Sequence, residues 1–534
     1  MITLRVVAFG IACLMELAAS SIACGSRLLP FGPEDDIATI LDANAGANKR
    51  TKAVERLWAA AESGAYDRAS ARETLKTVVW KTSAPAPLRR AVYSRLIGDT
   101  SPGAVEDTRK LLRLRLPTET QWPVIDDVCK VIAARAGDPA WRELSGALVR
   151  SYARRVPTPP DADRPERGAL LALYPGESIE QIAFKIYLRP QGEVNGGELP
   201  GQTPELIEKQ RQAAWELLGR LDADGGKRAA MLASAPSDDP ALRPIVRCAR
   251  ELKVVPVTGS ELAWLGRLIE GADAAGGSGD GGAWWSEASA AVARLDSDQL
   301  RGLQMRHVEP ARWASKNKPE WLSAGRSALL TEVESRLEGR RKWRKNADMG
   351  ESGRLSKEML KDWRDELAWG DALTILVIDE ALRSPGIVTE LFQQALADRA
   401  DTSTEHGGGI WAVDAVPGGA GAPKWRASGA GTMFLARAYN PRPGQRVNDR
   451  TYMAPEELFV AEGAGGRSLC HYHFHVQTDN NADYAGPGFG DAEYATTHGR
   501  ACLVFTSVKK GVLNADYYHR GGVMIDLGEL AEGR

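Results

Sequence analysis

From about residue 34 to about residue 370 the apolar side chains recur with the period of an α-helix, and beyond residue 372 they do not. Val54, Leu57, Trp58 and Ala61 fall at i, i+3, i+4 and i+7, which lines one helix face. Leu75, Val78 and Val79 repeat the pattern, as do Val124, Val128, Val131 and Ile132. Pro and Gly interrupt it at short intervals (Pro85 and Pro87, Pro102-Gly103, Gly137-Asp138-Pro139), so the reading is a succession of helices of roughly 12–18 residues with short breaks. Helices of that size bury their apolar stripes against neighbouring hairpins, as an irregular solenoid or a bundle. Two stretches read as linkers: 156–168, stiffened by Pro, and the Gly-rich 271–282. The basic run Arg340–Lys345 reads as the solvated end of a helix beginning near Pro319, where positive charge complements the dipole.

After Ala372 the texture changes. Leu373–Ile378 (LTILVI) is a short apolar run compatible with a buried strand or a helix start, and 386–398 is an amphipathic helix after Pro385. Short strand-like runs then alternate with Gly: 407–416, 431–438, 467–476, 500–507 and 512–518. The fold class is therefore multidomain. An α-helical solenoid or bundle over 24–370 precedes an α/β or α+β domain over 371–534. At 534 residues the chain is too long for one core, given ~100–200 residues per domain. Hydrophobic residues at 43% and charged residues at 26% exclude a mainly disordered chain. A formal net charge of −2 argues against general binding to nucleic acid or to an acidic membrane surface.

The first residues read as a secretory signal over 1–23: Arg5, the apolar run Val6–Met15, then Ser21-Ile22-Ala23 before a cut. The run is too short to cross a bilayer, which takes ~20 apolar residues. Cys24 after Ser-Ile-Ala resembles the acylation box of bacterial lipoproteins, with Ser21 where Leu is usual and Glu16 interrupting the apolar region. Simple cleavage and membrane attachment through a lipidated Cys24 both stay open, and either sends the protein to the periplasm or cell envelope. Cys129, Cys248, Cys470 and Cys502 have no CxxC spacing and read as buried thiols.

Six of the seven His lie between residues 406 and 519, so chemistry is sought there. His471, His473 and His475 sit in one strand-like run, where a period of two aims all three imidazoles at one sheet face. Three His on one face make a poor core and good metal ligands, and imidazole suits Zn2+. Asp491, reached through a Gly/Asn-rich loop, opens a helical segment and offers a carboxylate to a two-His-one-Asp site. The Gly-rich 407–409 and 418–421 are not phosphate loops, since neither runs into a Lys-Ser/Thr helix.

In this order of elements the C-terminal region resembles the JAMM (MPN-plus) metalloprotease family, and the helical region is vaguely similar to HEAT-type arrays. Glu405 ahead of Gly407-Gly408-Gly409-Ile410 looks like the family's catalytic glutamate before a Gly-rich strand. His473-Phe474-His475 matches the paired ligands, Asp491 the third, RACLVFTS the strand after the following helix, and YYHRGGVMIDLGEL the closing strands. The resemblance implies zinc on His473, His475 and Asp491, a proton-moving Glu405, and hydrolysis of a peptide or isopeptide bond. His471 is then a candidate support behind the ligands, or a surface His. Three positions depart from the pattern: Val476 replaces Pro, the 476–490 stretch is longer than usual, and Gly488 stands where a Ser is expected. That Ser helps to hold the oxyanion, a contribution worth ~10²–10³ in rate. Two functions follow as expectations. One is an exported zinc peptidase or isopeptidase whose helical region binds a protein substrate or partner. The alternative is a non-enzymatic envelope scaffold with a structural or degenerate metal domain.

Overall fold

The computed structural model describes residues 32–154, 159–190, 203–222, 225–235, 239–274, 280–343, 358–414 and 432–532. The signal segment and Cys24 lie outside the described residues. Met1–Thr108 with Gln121–Asp127 forms one compact unit, and Arg109–Thr120 with Val128–Arg534 forms the other.

The first unit holds the helices Pro33–Leu41, Ala47–Glu62, Arg68–Trp80 and Ala86–Gly98. Val54, Leu57, Trp58 and Ala61 are all buried, as their spacing predicts. Arg72 is buried too, donating to Asp99 Oδ2 at 2.8 Å and to Thr108 Oγ1 at 3.0 Å. Both acceptors lie on the following segments, so the guanidinium ties consecutive helices together at their polar ends.

The second unit is helical up to Ala400, and among the described residues every strand lies between 407 and 531. The 373–378 run is helix: Trp369–Leu382 is buried along almost its whole length. A helix covered on all sides shows no amphipathic period, which is why this run alone does not declare its state. It is fixed at its start by Asp371, whose Oδ2 accepts the Ala368 N–H at 2.9 Å.

Both expected linkers are shorter than their composition implies. In the first, Asp161–Asp163 is a 3-10 turn and a helix starts at Pro165, while 155–158 lie outside the described residues. Proline is well tolerated at a helix's first position, so Pro165 starts an element there. In the second, Gly259–Ala274 and Asp280–Val292 are helices and only 275–279 fall outside the described residues. A Cβ on Gly281 would stand 2.7 Å from the Gly271 carbonyl carbon, so glycine lets these two helices approach.

The basic run is also corrected. Pro319–Ser323 is a short helix, and a separate one, Arg326–Leu337, ends before Arg340. Gly339 at φ 75° turns the chain out of that helix. Arg340 then donates to Leu527 O at 3.2 Å, Lys342 Nζ to Asp526 O at 2.9 Å, and the Trp343 N–H to Asp526 Oδ2 at 2.6 Å. Burial brings the Lys342 ammonium down to about 8 despite the neighbouring Asp526. These charges answer strand acceptors that no local pattern reveals; Arg344 and Lys345 lie outside the described residues.

The sheet has six strands: β1 (Gly407–Asp414), β2 (Thr432–Ala438), β3 (Ser468–His475), β4 (Cys502–Lys509), β5 (Val512–His519) and β6 (Val523–Ala531). Their order is β2-β1-β3-β4-β5-β6, with β3 and β4 parallel and every other pair antiparallel. One face carries Tyr472, Phe474 and Phe505, whose rings pack on one another, and β3 meets the buried 369–382 helix. On the other face Cys502, Val504 and Tyr518 form a core with Ala495 of the helix Phe489–His498, which crosses over from β3 to β4. At the outer edge, Ala436 of β2 donates its N–H to Glu390 Oε2 at 3.0 Å and accepts Gln394 Nε2 at 2.9 Å, both from the helix Pro385–Ala400. At the opposite edge Asp526 of β6 donates its N–H to Glu358 O at 2.8 Å, beside the 340–343 segment. All four described cysteines are buried free thiols.

Candidate metal centre

Register explains how residues 70 apart in sequence meet. Gly407 of β1 pairs with His473 of β3 and Gly408 with Tyr472, so continuing the antiparallel ladder sets Glu405 opposite His475. The glycines make this approach feasible: a Cβ on Gly407 would stand 2.5 Å from Tyr472 O and 2.6 Å from the Tyr452 ring. On Gly408 it would collide with the Arg437 carbonyl. The Gly-rich run thus serves close strand packing. Period two puts His473 and His475 on the face covered by the 489–498 helix, and Asp491 comes from that helix's first turn. There the Gly488 N–H caps Asp491 Oδ2 at 2.6 Å, which leaves Oδ1 for His473.

The four side chains converge. His473 Nε2 lies 3.3 Å from His475 Nε2 and 3.2 Å from Asp491 Oδ1. His475 Nε2 lies 3.8 Å from Asp491 Oδ2 and 4.0 Å from Glu405 Oε1. Glu405, His473 and His475 each offer a donor atom within 4.8 Å of the others, a grouping able to hold a metal ion. In a tetrahedral site with ligands 2.0–2.1 Å from zinc, neighbouring ligand atoms stand ~3.3 Å apart. The His473–His475 and His473–Asp491 separations match that edge. Glu405 Oε1 and Asp491 Oδ2 stand further out, at 4.0 and 3.8 Å from His475 Nε2.

The His475 tautomer agrees with ligation. His475 Nδ1 lies 3.1 Å from Tyr484 O, a pure acceptor, so its proton sits there and Nε2 keeps its lone pair for the site. His473 Nδ1 faces the Tyr518 hydroxyl at 3.5 Å. Burial raises the Glu405 carboxyl to about 7, with the Asp491 charge adding to the rise and His473 opposing it. Burial alone would lower His473, but the Asp491 carboxylate and its hydrogen bond outweigh it and lift the imidazole to about 9. Asp491 moves oppositely: burial would raise it, and the two imidazoles hold it well below the usual carboxylate range.

His471 shares the strand face without touching either imidazole of the group. Its Nε2 lies 2.8 Å from Glu462 Oε1 and its Nδ1 2.7 Å from the Tyr494 hydroxyl. It therefore joins β3 to the helices Glu456–Gly465 and Phe489–His498. His406 turns away from Glu405, toward Asp401 Oδ2 at 3.2 Å and Asn440 at 3.3 Å. His498 meets Ser260 Oγ at 2.9 Å, and His519 faces Asp371 at 3.4 Å.

No protein-family model, curated protein or solved structure matches this chain. The site therefore speaks through its own geometry.

Three neighbours of the site were not foreseen from the sequence. Gln477 donates to Glu405 Oε1 at 3.3 Å and, as the residue two beyond His475, lay within reach of the period-two argument. Tyr452 gives its backbone N–H to Glu405 and stacks its ring on His473 at 6.3 Å. It comes from an irregular stretch with no periodic signal. Glu462 accepts from both Arg500, at 3.0 Å, and His471, and only the tertiary fold puts it there.

Proposed function

We propose that this chain is a zinc-dependent hydrolase of peptide or isopeptide bonds, similar in plan to the JAMM (MPN-plus) metalloproteases. The observation that carries the reading is the convergence of Glu405, His473, His475 and Asp491 from three separate segments, with His473 at tetrahedral ligand spacing from both His475 and Asp491. His473, His475 and Asp491 would hold the ion. When bound, zinc supplies Lewis acidity, polarising the amide carbonyl and acidifying water. Glu405, buried and poised near neutrality, takes the proton of the attacking water and returns it to the leaving amine. Gln477 and the Tyr452 N–H orient its carboxylate for that transfer.

The helical region would act as the platform for a protein substrate or partner. A cleft of ≈ 710 Å³, within the ordinary range for ligand sites, lies between Gln212, Ser260 and Arg267 on the platform side and Phe459 and His498 on the sheet side. His498 ends the helix whose first turn carries Asp491, placing the cleft roughly 10 Å along that helix from the metal group. Export to the cell envelope, with or without a lipid on Cys24, completes the proposal. Among the described residues no helix is long and apolar enough to cross a membrane.

The test is zinc stoichiometry and peptide hydrolysis in wild type and His473→Ala. Wild type should hold about one zinc per chain, and His473→Ala should lose metal and hydrolysis together, because two ligands no longer close the site. Equal zinc in both proteins would end the assignment. A zinc-loaded wild type inert toward peptide and isopeptide substrates would favour the scaffold reading.

Gly488 offers a gain-of-function check. Its backbone, at φ −81°, accepts any residue, and a Cβ there would meet only Asp491 Oδ2, at 3.4 Å. Gly488→Ser should fold normally and raise kcat ~10-fold, a fraction of the ~10²–10³ such a donor contributes in a site built around it. An unchanged kcat with intact zinc content would show that the hydroxyl does not reach the reacting carbonyl.

A further inference from the structure

Beyond β3 the chain runs Gln477-Thr478-Asp479-Asn480-Asn481, a polar stretch of the kind that marks a solvated turn. Asn481 is nevertheless buried, at 6% exposure. Its backbone N–H donates to Ser507 O of β4 at 2.6 Å, which fastens the turn to the strand beside β3. Arg399 holds the start of the same turn, with Nε donating to Val476 O at 2.9 Å and Nη2 to Ser507 Oγ at 3.1 Å.

Every polar atom of the Asn481 side chain is used. Nδ2 donates to His475 O at 3.1 Å and to Gln477 Oε1 at 3.2 Å, and Oδ1 accepts the Thr478 hydroxyl at 2.7 Å. Gln477 in turn sets Nε2 against Asp449 O at 2.5 Å and Glu405 Oε1 at 3.3 Å. The two ends of an amide have nearly the same shape, so their partners decide which end points where. Here a main-chain carbonyl, which can only accept, stands at the nitrogen end of each amide: His475 O for Asn481 and Asp449 O for Gln477. That leaves Gln477 Oε1 for Asn481 and a Gln477 N–H for Glu405. The pair has one consistent orientation, and it ends on the carboxylate.

We infer that Asn481 is a positioning residue of the site, holding His475 by its main-chain oxygen and aiming the Gln477 N–H at Glu405. This rests on the hydrolytic reading above and deepens it. Asn481 acts through His475 O and Gln477, and so serves the reaction without joining it. Supports of this kind are typically worth ~10–100-fold in metal affinity or activity.

The test uses the full chain. Asn481→Asp keeps the shape and removes both donors. Its carboxylate faces two acceptors, so Gln477 should turn its amide over and present Oε1 to Glu405. In the zinc-loaded protein, kcat on a quenched-fluorescence peptide should fall ~10-fold while KM stays as it is. Gln477→Leu should cost as much, and both substitutions together no more than either alone, because they break one chain of contacts. Losses in kcat that multiply would place Asn481 in the fold alone and overturn the inference. A second readout needs neither zinc nor activity. With isotope-labelled glutamine, the Gln477 side-chain protons (identified by their absence in Gln477→Leu) should exchange slowly with solvent in wild type. In Asn481→Asp they should exchange ~10-fold faster, the loss of about one hydrogen bond. Unmoved Gln477 signals overturn the inference whatever the activity. If wild type cleaves no peptide, hydrolysis fails, while slow exchange that is lost in Asn481→Asp still supports the positioning of Glu405. Should Asn481→Asp not fold, Asn481→Ser, uncharged and too short to reach both acceptors, is read in its place.

Discussion

Glu405→Gln should keep its zinc and lose ~10²–10⁴-fold in kcat, the contribution of a positioned general base. Gln is nearly isosteric and can still accept from Gln477 and from the Tyr452 N–H, so the pocket should keep its shape. What disappears is an atom that can take a proton. On the proposed ligand set zinc should not depend on the carboxylate, because the separations that match a tetrahedral edge are His473–His475 and His473–Asp491, whereas Glu405 Oε1 lies 4.0 Å from His475 Nε2. Equilibrium dialysis or metal analysis beside a steady-state assay separates the two roles. A variant that loses zinc would make Glu405 a ligand, and one that keeps full activity would remove it from the chemistry. The contrast with His473→Ala, which loses both properties, makes the pair of substitutions informative.

Glu462→Ala should lower the stability of the second unit by ~3–5 kcal/mol, the cost of stranding a buried charge. Glu462 and Arg500 are both fully enclosed and make three hydrogen bonds to each other, with His471 on the remaining side. Removing the carboxylate leaves Arg500 in the interior without its counter-ion. Burial would raise the Glu462 carboxyl, but Arg500 and His471 outweigh it and hold it far below the ordinary value. A depressed carboxyl contributes stability that is complete above the unfolded value of ~4.3 and declines as pH falls toward the folded one. Wild type should therefore lose stability on acidification below about pH 4, and Glu462→Gln should show a flatter profile there. Urea unfolding followed by tryptophan fluorescence at about pH 7 and about pH 3 reads both. Parallel pH profiles in the two proteins would show that Glu462 carries no charge worth protecting. The effect should reach the metal group as well. His471 lies two residues before His473, and Tyr494 lies three after Asp491, so loosening their shared anchor should weaken zinc binding ~10–100-fold.

The strands were legible because each is a short apolar run closed by Gly, and the observed limits fall close to the expected ones: 407–414 for the run at 407–416, 468–475 for that at 467–476. Helical periodicity was equally plain wherever one face meets solvent, as in Ala47–Glu62. It failed at Trp369–Leu382, where burial on every side erases the alternation that a period detects. At 271–282 the two ends are helix, and Gly281 is placed there for close helix contact, while 275–279 lie outside the described residues. Charge misled at Arg340–Trp343, whose partners are carbonyls and carboxylates of a strand about 185 residues away in sequence. The site divides the same way. His473 and His475 announce themselves through spacing within one strand, whereas Tyr452 and Glu462 depend on contacts made only when distant elements pack.

Midway along each margin of the sheet, main-chain groups are taken by side chains or by a neighbouring segment, and this has a colloidal as well as a mechanical consequence. An open row of main-chain amides is a template on which a second copy of a chain can polymerise. Here Glu390 and Gln394 occupy the β2 margin, and Arg340, Lys342 and Glu358 O occupy that of β6. Concentrated protein should therefore resist fibril growth through this sheet. The same closure removes the cheapest way of gripping an extended chain, which is to add it as another strand. On the proposed reading, a segment that reaches His475 and Asp491 would be held mainly through its side chains.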